Sequence, residues 1–231
     1  GYADGISNPI FEGGGTVSTR ADPEWDDGAS LRLALTLDPF ATTTPDAMGS
    51  YFVFRKLGQD VSQFDSRVAQ LAATLGTNPN LAGAMAVGRF KDGTPVIDKN
   101  VPGGPSKENG FDYEPDSAKF KCPAHAHIRK ANPRGTTPLT SLEGERKRRI
   151  VRRGMPYGKP VFQITDPNFH DPSPTAERGL LFMCYQRNIE KQFAFIQRTW
   201  VDSSTFPTLL SQVGDDPLIG QDVNEAQKWP K

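Results

Sequence analysis

Apolar residues occur along the chain either in short continuous runs or at a helical spacing, and each pattern indicates which element the segment forms. Residues 51–57 (YFVFRKL) are a short run of aromatic and β-branched residues, which is typical of a buried strand. In the next segment, DVSQFDSRVAQLAATLG, the apolar residues recur three and four positions apart, so they share one face of a helix that ends at Gly76. A second short helix is predicted over residues 81–90.

The second half of the chain shows the same alternation. The segment RIVRRGMPYG predicts a strand that ends at Gly154, and RGLLFMCYQ (178–186) predicts another. After it, apolar residues recur at i, i+4, i+7 and i+11 and predict a helix: Ile189, Phe193, Ile196 and Trp200. Segments rich in Gly, Pro and Asp, above all 91–120, are typical of loops. Alternating strands and helices predict an α+β fold, a sheet with helices packed on it.

Composition and charge narrow the possible partners. The 231 residues carry 27 basic and 27 acidic side chains, so no net field attracts the chain to nucleic acid. No run approaches the roughly 20 apolar residues of a membrane-spanning helix. Two cysteines, Cys122 and Cys184, cannot form a disulfide framework. We therefore expect neither a nucleic-acid nor a membrane partner, and composition leaves the compartment open.

Two histidines are the first candidates for chemistry. The segment CPAHAHIRKANPRG (122–135) contains His125 and His127, and the chain has 3 histidines in all. In an extended backbone the two would share a face, whereas in a helix they would point about 200° apart. Zinc usually takes three or four protein ligands, and His170, in NFHDPSP, has no matching partner pattern, so zinc is weakly indicated. One imidazole suffices as an axial ligand of haem iron, and a purely structural histidine is the other interpretation.

A basic segment and an aspartate are the next candidates. The segment RKRRIVRRG (146–154) is consistent with a nucleic-acid patch or with a solvated basic face. In a strand, Arg152 and Arg153 point to opposite faces, so one of them should point with the apolar residues and need an anionic partner. In GYADG, Asp4 is by itself typical of a turn.

Taken together, these segments resemble the dye-decolorizing peroxidase family, especially its fungal members. GYADGISNP matches the G-x-x-D-G motif of the family, and further segments follow in the family's order: SYFVFRKLGQDVSQF, CPAHAHIRKANPRG, RIVRRGMPYG, RGLLFMCYQ and FAFIQRTWV. The resemblance implies a ferredoxin-like antiparallel sheet with helices on it, one half of a dimeric α+β barrel with long loops. It divides the chain into 1–50, a distal-motif segment belonging to the end of the first half, and 51–231, a C-terminal ferredoxin-like haem-binding domain.

The resemblance also implies a cofactor, haem b, and residues on both sides of it. His127 matches the proximal ligand of the haem iron, and His125 is then a bystander. Asp4 matches the distal aspartate and Arg152 the distal arginine. An ionised aspartate can ferry the proton that peroxide must move, and a guanidinium can stabilise the negative charge that develops on oxygen.

Other residues match the walls and the proximal side of the family's pocket. Leu180 and Phe182 match the apolar pair that walls the distal pocket. Asp216, in GDDPLIG, is expected to hold the second ring nitrogen of His127, although the adjacent Asp215 is an alternative.

Two arginines and two aromatic residues complete the set that the resemblance implies. Arg129 and Arg134 are expected to bind the cofactor. Trp200 and Tyr157 lie in the motif segments IQRTW and GMPYG and are expected to carry electrons to bulky donors at the surface.

The implied function is a haem peroxidase that uses hydrogen peroxide to oxidise dyes, phenols and related aromatic donors through a ferryl intermediate. A non-catalytic haem-binding or haem-handling protein is the alternative, and a structural fragment without haem is a third. The fungal members imply an extracellular, secreted protein. Because almost all of the family's first half is missing, and Asp4 lies near the first residue where a free chain would fray, we expect a second chain or missing segment carrying the N-terminal ferredoxin-like half.

Overall fold

The structure is a computed structural model that describes part of the chain. The described residues are 2–3, 11, 30–44, 46–103, 111–113, 121–135, 137, 141–158, 177–208, 212–221 and 229. Asp4 and His170 lie outside them. The described residues form antiparallel sheets accompanied by helices, which confirms the α+β fold expected from the sequence.

Two antiparallel sheets occur in the described part of the chain. The smaller one consists of β1 (Thr36–Leu37) and β2 (Met48–Gly49). In the larger one, β3 (Tyr51–Gly58) pairs along its whole length with β6 (Gly179–Gln186). The strands predicted over 51–57 and 178–186 are therefore confirmed.

The other edge of the larger sheet is a strand in two pieces, β4 (Val151–Arg152) and β5 (Met155–Tyr157). Both pieces pair with β6 in one continuous register, and between them the N–H of Arg153 donates to the carbonyl of Met183 at 2.8 Å. The predicted strand end at Gly154 is therefore wrong. Glycine lowers the propensity for a strand, but a partner strand can carry the pairing across it.

The two faces of the larger sheet differ in character. Residues directly opposite each other in an antiparallel pair share a face. One face, which we call the Phe182 face, carries Arg152, Leu180, Phe182 and Cys184. The opposite face, which we call the aromatic face, carries Phe52, Phe54 and Tyr185. Its three rings are 45%, 54% and 39% exposed, so the described residues leave this face largely uncovered.

The first long helix, α1 (Val61–Leu75), has the limits that the sequence predicts. The carboxylate of Asp60 caps it by accepting the N–H of Gln63 at 2.8 Å. Gly76 ends it in the left-handed region with φ of 65°.

The second helix, α2 (Pro79–Val87), lies slightly N-terminal to the predicted range of 81–90. Asn78 caps it directly before Pro79, and Gly88 ends it with φ of 99°. The helix is buried from residue 82 to its end. It contributes to the main core cluster: Ala84, Met85, Phe90, Val96, Ile97, Tyr113, Cys122 and Ala126. The core thus lies between α2 and the chain segments that lead to His127.

The later helices are short: α3 (His127–Ala131), α4 (Leu142–Arg146) and α5 (Phe193–Phe195), which continues as a π-helix (Ile196–Val201). The helix predicted from Ile189 onwards is therefore wrong in its start and its pitch. A π-helix widens the turn, and counting apolar residues at a period of 3.6 assumes that the pitch stays constant. Among the residues described, no helix has the length and apolar character needed to cross a bilayer.

Candidate functional site

His127 is the first residue of α3, where the CPAHAH segment turns into a helix. Its Nδ1 lies 2.7 Å from Oδ2 of Asp216, so this aspartate, and not Asp215, makes the bond to the ring. The imidazole is 29% exposed, whereas the carboxylate is 0% exposed. Because a carboxylate accepts, Nδ1 is the donor of this bond, and in the neutral ring Nε2 is then the nitrogen whose lone pair can bind a ligand. Nε2 makes no hydrogen bond to any residue that the structure describes.

Asp216 is held in place by the backbone around it. Its Oδ1 accepts the N–H groups of Leu218 and Ile219 at 2.8 and 3.1 Å, and its own N–H donates to the carbonyl of Val201 at 3.1 Å. Burial raises the pKa of Asp216, but attraction to His127, the hydrogen bond to its ring and the two N–H groups outweigh burial and lower the pKa below its ordinary value. Asp216 is therefore ionised at neutral pH.

His125 lies in the opposite environment. It is 0% exposed, and its ring stands edge-on to that of Trp229 with 4.4 Å between the centroids. Burial, and then the charge of Lys130, lower the pKa of His125 to about 4. A neutral, enclosed imidazole fits the bystander role that the resemblance implies for His125.

The Phe182 face brings together Arg152, Leu180 and Phe182, the residues that the resemblance assigns to the distal side. Arg152 lies directly opposite Cys184 of β6. Leu180 and Phe182 lie at every second position of the same strand, so they share the face of Cys184. Arg152 points with Leu180 and Phe182, as predicted for one of the two arginines, although both arginines are exposed in the described part of the chain. Their strand is the edge of the sheet, where a guanidinium reaches solvent.

One element connects the Phe182 face with His127. Phe193, the first residue of α5, packs against Phe182 with 5.7 Å between ring centroids. The π-helix that follows contacts α3, whose Lys130 reaches the carbonyl of Trp200 at 3.2 Å. At the rise of an α-helix, α5 and the π-helix together span roughly 13 Å. The sheet face and the histidine therefore lie at the two ends of one short helical element.

Asp4 lies outside the described residues, but the residue before it is tied to the fold. The N–H of Ala3 donates to the carbonyl of Lys91 at 3.1 Å. The fraying expected near the first residue is thus opposed, as far as Ala3, by a contact within this chain.

Tyr2 adds a second anchor for the same segment. Its ring stands edge-on to Phe64 of α1 with 6.2 Å between centroids, and its hydroxyl lies against Gly83 of α2. A Cβ at Gly83 would overlap the Tyr2 oxygen, so only glycine leaves room for it. Burial, and then the charge of Asp65, raise the pKa of Tyr2 to about 12.

Arg129 and Arg134 lie among aromatic rings. The guanidinium of Arg129 is 4.6 Å from the centre of the Tyr113 ring, and the residue is 4% exposed. Arg134 lies 3.9 Å from the centre of the Phe111 ring and donates to the carbonyl of Phe111 at 3.0 Å. These are contacts of a packed interior, and the assignment of both arginines to the cofactor stays a prediction.

Trp200 is buried, not at the surface. It is 3% exposed and stacks on Phe206 at 5.3 Å, while Phe195 meets it edge-on at 5.6 Å. Tyr157 is half-buried in the edge strand, with Nζ of Lys56 5.0 Å from its ring centre. Electron transfer through either residue stays a prediction, and Trp200 would need neighbouring groups to reach a bulky donor.

Sequence reasoning missed the buried Lys130 and the contact between Tyr2 and Gly83. A lysine in a basic segment gives no signal that it is buried. Gly83, in the helical segment LAGAMAV, is a weak signal, because a glycine inside a helix can mark a close approach.

Among the described residues, the site offers one candidate ligand atom for a metal, Nε2 of His127. No group of three or more His, Cys, Asp or Glu side chains that could hold a metal ion occurs among the described residues. A prosthetic group that brings its own ligands suits one imidazole with an available Nε2, and haem is such a group. Fold and site therefore define an α+β protein with a carboxylate-backed histidine suited to a haem.

The chain belongs to the Dyp-type peroxidase family. The family model described as "Dyp-type peroxidase, C-terminal" matches residues 1–212. This match confirms the resemblance seen in the sequence motifs.

Named relatives agree with that membership. The multifunctional dye peroxidase DyP2 of Amycolatopsis sp. is 41% identical over 99% of this chain and 52% of its own length, and its solved structure matches with a TM-score of 0.87. The dye-decolorizing peroxidase AauDyP1 of Auricularia auricula-judae is 33% identical over 96% of this chain and 46% of its own length. A deferrochelatase of Shigella flexneri is 30% identical over 47% of this chain. The similarity is therefore not specifically fungal, and the chain spans about half the length of the dye peroxidases it matches.

Proposed function

We propose that this chain forms the haem-binding half of a peroxidase that uses hydrogen peroxide to oxidise dyes, phenols and related aromatic donors. The observation that carries the proposal is the pair formed by His127 and Asp216, which leaves Nε2 of the imidazole available as a ligand. Two relatives over nearly the whole chain are named dye peroxidases, which supports the reaction class.

The residues around His127 fit haem b as the cofactor. A buried carboxylate on Nδ1 fixes the ring orientation and makes the imidazole a stronger electron donor. The partly exposed ring lets a large planar group reach Nε2. When bound, the haem supplies the ferryl chemistry, in which two oxidising equivalents from peroxide are passed on one electron at a time.

On the opposite side, we assign Arg152 and Asp4 to peroxide. The fork of Arg152 would stabilise negative charge on the departing oxygen, and the carboxylate of Asp4 would move a proton from one oxygen to the other. Leu180 and Phe182, on the same sheet face as Arg152, would exclude water from that space.

Bulky donors would receive the oxidising equivalents through aromatic side chains. Trp200, enclosed by Phe195 and Phe206, would act inside the protein, and the half-buried Tyr157 would act nearer the surface. Steady-state rates with large dyes and with small phenols test whether these two residues carry the electrons. In a Trp200→Phe, Tyr157→Phe double variant, turnover of large dyes should fall while small phenols are oxidised as before. Large-dye turnover at the wild-type rate would remove both residues from the route.

The proposed enzyme includes the family's N-terminal ferredoxin-like half, as a second chain or a further segment. Two observations support this: the chain spans about half of its relatives, and the aromatic face is largely uncovered. An extracellular location is part of the same proposal, and peroxidase activity in the culture medium of the source organism would test it.

The test of the reaction is an absorption spectrum of the purified protein that contains this chain, taken before and after addition of peroxide. We expect a Soret band that shifts on peroxide and returns when a dye is added and bleached. Replacing Arg152 by Leu should slow the peroxide-driven shift by at least about 100-fold, as loss of a stabilising donor does. An unchanged rate would remove Arg152 from the mechanism.

A haem-handling protein is the second candidate function. The partial match to a protein named deferrochelatase favours it. A Soret band that does not respond to peroxide, with no dye bleaching, would support this candidate over the peroxidase.

A further inference from the structure

Lys130 is a fully buried cation in the same short helix as His127. It is 0% exposed, and its Nζ lies near three backbone carbonyls: Trp200 at 3.2 Å, Ser203 at 2.6 Å and Phe206 at 2.9 Å. An ammonium has three N–H donors, so each carbonyl can accept one of them. Removing an ammonium from water costs several kcal/mol, and these three bonds contribute to stabilising the charge there.

The three carbonyls belong to the end of the π-helix and to the turn that follows it. Carbonyls at this end of a helix have no partner within the helix and carry partial negative charge. Lys130 therefore fixes the turn against α3. The carbonyl of Val201, next to that of Trp200, accepts the N–H of Asp216 at 3.1 Å. Lys130 and Asp216 thus hold the same turn from two sides.

These contacts close a ring of hydrogen bonds around the histidine. From Nδ1 of His127 the path runs to Asp216 at 2.7 Å, and from the Asp216 N–H to Val201 at 3.1 Å. It continues through Trp200 to Nζ of Lys130 at 3.2 Å and returns along one turn of α3 to His127. Because the path is closed, a displacement of the carboxylate relative to the imidazole is transmitted to the other hydrogen bonds of the ring.

We propose that Lys130 is a positioning residue for the His127–Asp216 pair. By holding the end of the π-helix, where Val201 lies, it sets the length and strength of the hydrogen bond to Nδ1, and thereby the electron donation of the imidazole to its ligand. The statement about a bound haem rests on the proposed function. The hydrogen bond itself does not, and it can be measured without the cofactor.

The first measurement uses the haem-free protein labelled with ¹⁵N-histidine. In the wild type, the proton on Nδ1 of His127 should give a low-field NMR signal that exchanges slowly with water. In Lys130→Met, we expect this proton to exchange at least about tenfold faster, because a weaker hydrogen bond protects it less. Lys147→Met is the matched control, since Lys147 has a 63% exposed side chain and pairs only at the surface with Glu143.

The second measurement uses the haem-loaded protein. The iron–histidine stretching frequency of the ferrous form reports electron donation from the imidazole. Asp216→Asn should lower it, and Lys130→Met should lower it by at least half as much. In the Asp216→Asn background, Lys130→Met should cause no further shift, because the two residues act through one bond.

The outcomes separate this proposal from the proposed function. If Lys130→Met lowers thermal stability but leaves both the proton exchange and the stretching frequency unchanged, Lys130 is only structural and the proposal is overturned. If the wild type binds no haem, the proposed function fails, and the NMR result alone decides the role of Lys130. If Lys130→Met does not fold, Lys130→Gln is used instead, because its amide keeps two N–H donors. This variant should change the proton exchange rate and the stretching frequency in the same direction as Lys130→Met, but by less. Unchanged readouts in Lys130→Gln would equally overturn the proposal.

Discussion

The two histidines of the CPAHAH segment, His125 and His127, are two positions apart but lie in different environments. His127 lies at the start of α3 with a partly exposed ring and a bonded carboxylate, whereas His125 is enclosed against Trp229. Burial lowers the pKa of His125 to about 4, so it stays neutral under ordinary conditions. At the scale of single residues, the environment and not the residue type decides which imidazole can bind a ligand.

The first residue-scale prediction contrasts these two histidines. His127→Ala should abolish the Soret band of the reconstituted protein, because the iron loses the nitrogen that we assign as its ligand. His125→Ala should retain the band, although the cavity that it leaves should lower stability by about 2 kcal/mol or more. The haem-to-protein ratio after gel filtration measures both effects. Haem bound at the wild-type ratio in His127→Ala would show that another residue is the ligand.

The second residue-scale prediction concerns the thiol of Cys184 on the Phe182 face. It is 0% exposed, and burial raises its pKa to about 12, an effect that Arg152 only partly offsets. The thiolate is the reactive form of a cysteine, so the reactivity of Cys184 is suppressed at every pH below its pKa. It should rise roughly tenfold for each pH unit by which the pH approaches that pKa. In a Cys122→Ser variant, which leaves Cys184 as the only thiol, we expect almost no reaction with a disulfide reagent at pH 8 in the folded state. Full reaction should follow in denaturant, and rapid reaction without denaturant would contradict the burial of the Cys184 side chain.

At the scale of elements, α2 shows how a helix can hold a neighbouring segment. At position 83, alanine would stabilise the helix by about 1 kcal/mol relative to glycine. Glycine, however, leaves room for the hydroxyl of Tyr2 to pack against the helix backbone. Ala3, next to Tyr2, is tied to Lys91, and the proposed catalytic Asp4 follows directly. The helix therefore helps to place a segment that is remote from it in the sequence.

This contact leads to a prediction about a pair of substitutions. Gly83→Ala should displace Tyr2 and destabilise the protein, because the new Cβ would overlap the tyrosine oxygen. In a Tyr2→Phe background the nearest remaining atom would be at 3.5 Å, an ordinary contact, so the same change should stabilise the protein by up to about 1 kcal/mol. Urea unfolding of the four proteins gives the coupling energy. Additive effects would show that the two residues do not touch.

At the scale of the whole molecule, the larger sheet has one face turned towards the α5 segment and one face that the described residues leave largely uncovered. Phe52 and Tyr185 lie with ring centroids 4.9 Å apart on that uncovered face, beside Phe54. Contiguous exposed apolar side chains of this kind mark an interaction surface. This is the surface on which we expect the N-terminal half to pack.

The corresponding prediction is tested by expressing this chain together with a chain that carries the proposed N-terminal ferredoxin-like half. The two should associate tightly, through an interface of more than about 2,000 Å² that resembles a domain core. Phe54→Glu should weaken the association at least about tenfold, because it places a charge in that core. Phe40→Glu is the control, since Phe40 is 87% exposed and lies outside the sheet face. Equal association of both variants, measured by light scattering, would place the interface elsewhere.

Much of the architecture could be predicted from the sequence because its causes are local. The strands over 51–57 and 178–186 follow from short runs of aromatic and branched apolar residues, and the helix α1 follows from apolar periodicity with Gly76 at its end. Backbone hydrogen bonds and caps within an element depend on residues a few positions apart, so the sequence alone indicates them. The candidate ligand His127 could likewise be identified from the sequence, because its motif is one short continuous segment of the chain.

The tertiary structure decided what depends on residues far apart in the chain. His127 and Asp216 are 89 positions apart, and the choice between Asp215 and Asp216 is made by the turn that Val201 and the π-helix present to them. The burial of Lys130 and of Trp200 depends on the same turn. Local patterns carry no information about such a turn, because its geometry comes from the packing of the π-helix against α3. The sequence by itself thus determined the family, the main elements and the candidate histidine, and the packing of distant segments determined which carboxylate and which cation surround it.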